Sequence, residues 1–155
     1  MVEPDKNQLE DKQRSEHVVL CATRGGPASY PNQDAAIALA KARGQDIVFI
    51  NVTNMKFLDK VSSAILVDMD EQMEELAEFL LLMAKERAEQ AGVSARTEVR
   101  TGSFCQALID AVHTYHADVV VFGQPGESGS LFKAEQLQRL GECLRSETGV
   151  EVVLL

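Results

Sequence analysis

The stretch "VVVFGQPGESGS", residues 119–130, decides the fold. An apolar run stops abruptly at a loop in which Gly123, Gly126 and Gly129 stand three residues apart. A short, continuously apolar run bounded by turn residues predicts a strand that is buried on both faces. Such strands belong to parallel sheets with helices packed on both sides, so this stretch indicates an α/β protein.

The rest of the chain repeats this pattern, with apolar strands alternating with amphipathic helices. Short right-handed crossovers between such elements give an open, doubly wound parallel sheet of five strands with helices on both faces. Gly44 and Gly92 end the first two helices, and Ser103 and Gln106 form a capping box for the third. Phe79, Leu81 and Leu82 widen the apolar face of the second helix; they are expected in the core, and a second contact surface is the alternative. The predicted strands span 17–23, 46–54, 93–101, 117–123 and 150–155, and the helices 32–43, 68–91, 103–116 and 133–147.

Length and charge restrict the classes of protein that fit. The chain has 155 residues, enough for one domain, and a formal net charge of −9. An acidic surface repels nucleic acids and anionic membranes, and the longest apolar run (79–84) is too short to span a bilayer. Residues 1–16 carry mixed charge and little to bury, which predicts a disordered tail before a domain at 17–155.

The cysteines indicate the compartment. Cys21, Cys105 and Cys143 are an odd, widely spaced set, which predicts neither a disulfide framework nor a zinc site. No secretory signal pattern is recognised, so the expectation is a cytoplasmic protein with reduced thiols. Cys105 falls in the first turn of a helix, where the dipole favours a thiolate and a redox role, although a small buried residue is the favoured interpretation.

Two glycine-rich loops are the candidate binding site. Ligands of open α/β sheets bind beyond the carboxyl ends of the strands, and the loops after strands one and four meet there if these strands are neighbours. Backbone N–H groups of "GQPGESGS" suit a phosphate, but Pro125 lacks one, and the same residues fit a type II turn. In "RGGPASYP", Arg24 with Gly25 and Gly26 suits a phosphate, whereas a flexible polar loop fits equally well.

Other candidate sites are weaker. His113 and His116 lie three apart on one helix, and two ligands alone do not make a metal site. No combination of serine or cysteine with histidine and a carboxylate can be assembled from the spacing, so no catalytic residue is predicted.

The strand and loop "DVVVFGQPGESGS", the preceding "ARTEVRTGSFCQALIDAVHTYHADVVV" and the closing "GVEVVLL" resemble the universal stress protein family. The resemblance covers residues 17–155. It implies strand order 3-2-1-4-5 and a homodimer joined through the last strand. Members that bind ATP resemble one another in an aspartate ending strand one, backbone contacts to adenine ending strand two, and a Gly-x2-Gly-x9-Gly-Ser/Thr motif after strand four.

This chain departs from the ATP-binding pattern at two places. Thr23 stands where the aspartate belongs, and Gln136 with Leu137 stands where the last glycine and hydroxyl residue belong. The next glycine is Gly141, and a carboxylate, Glu142, follows it. Because charged hydrogen bonds contribute roughly 1.5–3 kcal/mol each, two lost contacts weaken a nucleotide site by several decades.

The sequence therefore predicts a non-enzymatic stress-response homodimer with a degenerate nucleotide site. One alternative is a genuine ATP- or AMP-binding protein that uses the Arg24–Gly26 loop, and another is a nucleotide-hydrolysing enzyme. The candidate ligand is ATP or AMP, and nucleic acids and membranes are not expected partners. The predicted site residues are Thr23, Arg24, Gly25, Val52, Gly123, Gly126, Gly129 and Ser130.

Overall fold

The structure, a computed structural model, describes residues 17–23, 29–53, 63–122 and 134–154. Five strands alternate with four helices, as the apolar pattern predicts. The predicted tail, 1–16, lies outside the described residues. The strands are β1 (Val18–Ala22), β2 (Asp46–Thr53), β3 (Ala95–Thr101), β4 (Ala117–Phe122) and β5 (Glu151–Leu154), and the helices are α1 (Tyr30–Arg43), α2 (Ser63–Gln90), α3 (Phe104–Tyr115) and α4 (Ala134–Thr148).

The five strands form one sheet in the order β3-β2-β1-β4-β5, and every neighbouring pair is parallel. β1 lies at the centre, where Val19 is in register with Ile47 on one side and Val119 on the other. The predicted fold class and strand order are thereby confirmed.

Alternate residues of the central strands divide the core into two layers. Leu20 and Val120 face α3 and α4, whereas Val19 and Val121 face α1 and α2, and all four side chains are fully buried. Burial on both faces explains why these strands read as continuous apolar runs rather than as alternating ones. The helices contribute Ala107, Leu108, Ala111, Val112, Leu140 and Leu144 to the first layer and Ala36, Ile37, Ala40, Leu81, Ala84 and Ala88 to the second.

The predicted end of α1 at Gly44 is confirmed, but the predicted capping of α3 by Ser103 is not. Gly44 has φ +65° and its N–H donates to the carbonyl groups that end α1, as a left-handed cap requires. Ser103 does precede α3, but its side chain makes no capping hydrogen bond. The capping box is therefore wrong, because the Gln106 amide donates forward to Asp110 (2.9 Å) instead of back to Ser103.

Only one side of α2 faces the sheet. Leu81 is fully buried as predicted, but Phe79 and Leu82 are exposed, and so is Leu76. The buried line runs through Ala77 and Leu81 at helical spacing, so residues on the opposite side turn away from the core. Neither this helix nor any other in the described ranges is long and apolar enough to cross a membrane.

The two edge strands differ in chemistry. β3 carries Arg96, Glu98 and Arg100 at alternate positions, and the Arg100 Nε atom lies 2.6 Å from a Glu98 carboxylate oxygen. Charged side chains protect a sheet edge from pairing with another chain. β5 begins with the exposed Glu151, which pairs with Arg43 of α1 (2.9 Å), and continues with the half-buried Val152 and Val153, so it is the less charged of the two edges.

The expectation of three reduced thiols is wrong in this structure, because Cys105 and Cys143 form a disulfide with a Cα–Cα distance of 6.7 Å. The two residues are 38 positions apart, but α3 and α4 pack side by side on one face of the sheet. Cys105 is half-buried rather than fully buried. Cys21 is free and buried, and burial raises the pKa of its thiol to about 12.

Replacing Leu20 with alanine should lower the free energy of unfolding by about 2–5 kcal/mol, because a fully buried side chain leaves a cavity at the centre of the sheet. Urea denaturation measures the loss. The control is Leu76→Ala, which removes the same atoms from a side chain that is 58% exposed and should change the stability by at most about 0.5 kcal/mol. Equal effects of the two substitutions would contradict the described packing.

Tyr115 should make stability depend on pH in the alkaline range. Desolvation raises the pKa of its hydroxyl, and so does its hydrogen bond to the Glu98 carboxylate. Its contribution is therefore complete below the ordinary tyrosine pKa and is lost as pH rises through the higher folded-state value. Urea midpoints at about pH 8 and about pH 11 should fall less for Tyr115→Phe than for the unmodified protein. Parallel losses in both proteins would show that Tyr115 does not contribute.

Candidate functional site

The carboxyl ends of β1 and β4 lie side by side. Ala22 and Phe122, the last residues of the two strands, are in register. From β1 the chain continues to a helix on one face of the sheet, and from β4 it continues to a helix on the other. The strand ends therefore diverge at this point, which is where open α/β sheets bind their ligands.

Of the predicted site residues, the structure describes Thr23 and Val52. Thr23 follows β1 directly, and Val52 lies near the end of β2. The other predicted positions stay predictions, because they lie outside the described residues: Arg24, Gly25, Gly123, Gly126, Gly129 and Ser130.

Thr23 is held at the end of β1 from two directions. Its backbone N–H donates to the Ile50 carbonyl of β2 (3.0 Å), which continues the pairing of the two strands by one residue. Its hydroxyl oxygen accepts a hydrogen bond from the Gln33 amide of α1 (3.3 Å). The position at which the family resemblance implies a carboxylate is therefore filled by a neutral hydroxyl bonded to a neutral amide.

Gln33 is a further residue at this strand end, and the sequence did not predict it. It is fully buried, and within the described part of the chain its Oε1 atom has no hydrogen-bond partner. A buried polar atom without a partner costs about 1–3 kcal/mol. Its position gave a signal, because Gln33 precedes Ala36, Ile37 and Ala40 by three, four and seven residues on the buried line of α1. A polar residue on such a line indicates a specific partner.

β2 extends further along this edge than β1 does. The last register pair between the two strands is Ala22 with Ile50, whereas β2 continues to Thr53. Val52 lies in this extension, is buried, and is in register with Arg100 of β3 on the other side. Backbone atoms of the extension are therefore placed beside the end of β1, as contact with a ligand there requires.

Gly141, the first glycine after the motif position that Gln136 occupies, has a packing role. Gly141 is buried within α4, and a Cβ atom at this position would lie 3.4 Å from the Val152 side chain of β5. Gln136 and Leu137 are helical residues near the start of α4. Gly141 therefore allows α4 to approach β5 closely and does not restore the motif.

The two histidines at the end of α3 have structural positions. His116 adopts a left-handed conformation (φ 56°) at the end of the helix, and its carbonyl oxygen accepts hydrogen bonds from the Val18 N–H (3.3 Å) and the His17 Nδ1 atom (3.0 Å). His113 is exposed. Among the residues that the structure describes, no three histidine, cysteine or acidic side chains are grouped to hold a metal ion.

Comparison with known proteins gives a family match. A model of the universal stress protein family matches residues 16–132, three quarters of the chain and all but the last helix and strand. No curated protein sequence matches the chain.

Solved structures of low sequence identity share the fold. A universal stress protein family member from Burkholderia pseudomallei is 20% identical, covers 91% of this chain and 97% of its own, and superposes with a TM-score of 0.65. A universal stress protein in complex with cAMP is 21% identical, with coverages of 90% and 96% and a TM-score of 0.62. The universal stress protein of Archaeoglobus fulgidus in complex with dAMP is 10% identical, with coverages of 89% and 96% and a TM-score of 0.61.

Proposed function

This chain belongs to the universal stress protein family, and from that premise we propose that it is a cytoplasmic, non-enzymatic regulatory homodimer with a degenerate nucleotide site. We assign these properties to residues 17–155. The observation that carries the proposal is the neutral contact between Thr23 and Gln33 at the end of β1.

The Thr23–Gln33 contact weakens a nucleotide site because it replaces a charged acceptor. A carboxylate at this position would accept charge-assisted hydrogen bonds from a ligand, each contributing roughly 1.5–3 kcal/mol. The Thr23 hydroxyl already accepts one hydrogen bond from the Gln33 amide, so it offers a ligand less. Each such loss lowers the affinity by about one to two decades, so this loss together with the departure at Gln136 and Leu137 turns a roughly micromolar site into a near-millimolar one.

We expect weak binding of an adenine nucleotide because the β2 extension and the predicted phosphate loop are still present in this chain. Two structural relatives are described in complex with cAMP and with dAMP. In this chain the β2 extension at Val52 would supply backbone groups for a base. The phosphate contacts remain those that the sequence predicts: Arg24, Gly25, Gly123, Gly126, Gly129 and Ser130. ATP and AMP are therefore the ligands to test.

The side chains at the described edge also support a role without catalysis. Thr23 carries a hydroxyl and Gln33 an amide, and neither group accepts a proton near neutral pH as a general base must. Regulation through binding and protein contact fits such a site better than nucleotide hydrolysis.

The homodimer is proposed to form through β5. The outer side of an edge strand presents backbone N–H and C=O groups that pair with another strand. β5 has the half-buried Val152 and Val153, whereas the opposite edge carries the charged residues of β3. Pairing of β5 with β5 of a second copy across a two-fold axis would extend the sheet and cover these valines.

Thermal melting with millimolar ATP, AMP or cAMP tests the degenerate site. A ligand with a near-millimolar dissociation constant should raise the midpoint by about 1–2 °C. Thr23→Asp should enlarge the shift with ATP to about 5 °C, because it introduces the charged acceptor. Thr23→Asn is the matched control, since it has a similar shape without the charge and should behave like the unmodified protein.

A shift of several degrees in the unmodified protein would favour the genuine ATP- or AMP-binding alternative, in which the Arg24–Gly26 loop supplies the missing contacts. Steady release of ADP from ATP over hours, measured by chromatography, would favour the enzyme instead. Either result would overturn the proposed function.

Sedimentation at micromolar concentration tests the dimer. The unmodified protein should sediment as a dimer, and Val153→Lys should shift it to the monomer by placing charges along the β5 edge. Thr97→Lys puts the same side chain on β3 at the opposite edge and should leave the dimer intact. A monomeric unmodified protein would contradict the proposal, and loss of the dimer only in Thr97→Lys would place the interface at β3.

A further inference from the structure

In the structure, two of the three cysteines form a disulfide and the third is a free, buried thiol. Cys105 of α3 and Cys143 of α4 form a disulfide, and both residues are half-buried, within reach of small molecules. Cys21 of β1 is fully buried in the apolar layer between the sheet and the first two helices. The three thiols therefore differ in access, and Cys21 serves as an internal control.

Apolar packing of α3 against α4 brings Cys105 and Cys143 together without help from the disulfide. Cys143 lies three residues after Leu140 and one before Leu144, and Cys105 lies three residues before Leu108. These three leucines belong to the buried cluster that α3 and α4 form with the sheet, and the contact between the two helices is their seam. Since the seam holds the helices together through apolar contacts, the two sulfur atoms stay close when the bond is reduced.

Cys105 has the more reactive position. It is the second residue of α3, directly after Phe104, and Ser103 is the N-cap. The positive end of the helix dipole favours a thiolate in the first turn, and the thiolate is the nucleophile in disulfide exchange. Cys143 lies within the last two turns of α4, where the dipole gives no such help.

We propose that Cys105 and Cys143 form a reversible redox-modification site that reacts with low-molecular-weight disulfides such as oxidised glutathione. The Cys105 thiolate attacks one sulfur of the reagent, a mixed disulfide forms, and the first thiolate of the reagent leaves. Cys143 loses its proton to solvent and attacks the Cys105 sulfur, which releases the second thiolate. The two cysteines give up two electrons and two protons in all, and the reagent becomes two thiols.

Oxidation of this site stabilises the fold. The bond joins residues 38 positions apart, so it restricts the unfolded chain, and it ties the first turn of α3 to α4. Closing a loop of this size with a disulfide lowers the entropy of the unfolded chain, which should raise the melting temperature of a domain of this length by on the order of 10 °C. The site lies on the face of the sheet opposite to Gln33 and goes beyond the proposed function, since it requires no nucleotide.

The experiment uses the full chain, reduced with dithiothreitol and then incubated without denaturant in oxidised glutathione. Alkylation followed by intact-mass spectrometry should show two thiols lost, one retained, and no glutathione attached. The melting temperature should rise by about 10 °C and return on renewed reduction. Retention of three thiols, a stable glutathione adduct, or a pair that dithiothreitol does not reduce in the native protein would each overturn the proposal.

Single variants test the order of attack. Cys143→Ser should trap glutathione on Cys105 as a mixed disulfide, because the resolving thiol is absent. Cys105→Ser should take up glutathione on the order of tenfold more slowly, because Cys143 lacks the helix N-terminus. Equal rates in the two variants would contradict the role given to Cys105.

Cys21→Ala is the matched control. It removes the buried thiol, should oxidise at the rate of the unmodified protein, and should keep the same difference in melting temperature between the reduced and oxidised forms. Failure of this variant to form the disulfide would show that Cys21 takes part and would overturn the proposed pairing.

Discussion

The parallel pairing of β1 with β4 is the constraint on which the rest of the structure depends. The two strands are buried on both faces and end in register at Ala22 and Phe122. Because the sheet extends in opposite directions from this pair, α1 and α2 cover one face while α3 and α4 cover the other. The chain diverges beyond the two strand ends, which is where open α/β sheets bind ligands, and the same winding leaves β3 and β5 as edges.

The two side chains described at the end of β1, those of Thr23 and Gln33, are polar but uncharged. Gln33 lies on the buried side of α1, which is otherwise apolar. Its amide donates a hydrogen bond to the Thr23 hydroxyl at the end of β1. A hydroxyl and an amide satisfy one another in part without attracting a counter-charge. This chemistry differs from the aspartate that the family resemblance implies at this position, even though the fold is shared.

The seam between α3 and α4 gives the opposite face a different chemistry. Leu108, Leu140 and Leu144 pack the two helices together, and the Cys105–Cys143 bond lies beside this packing. The candidate nucleotide site lies at the carboxyl ends of β1 and β4, whereas the disulfide lies between the two helices on one face of the sheet.

The sequence by itself determined the kind of sheet. Continuous apolar runs such as that of β4 require burial on both faces, glycine at position 44 requires a helix end, and alternation of strands with helices requires parallel pairing. The family resemblance added the strand order. These features are local or follow from connectivity, so no knowledge of distant contacts was needed.

Only the tertiary structure decided which residues meet. The Gln33–Thr23 hydrogen bond and the Cys105–Cys143 disulfide join different elements, and residue spacing carries no information about their distance. The same holds for Phe79 and Leu82, whose apolar character suggested the core although they face away from it. Periodicity determines which side of a helix a residue occupies, but the neighbouring element that packs there determines whether that side is covered.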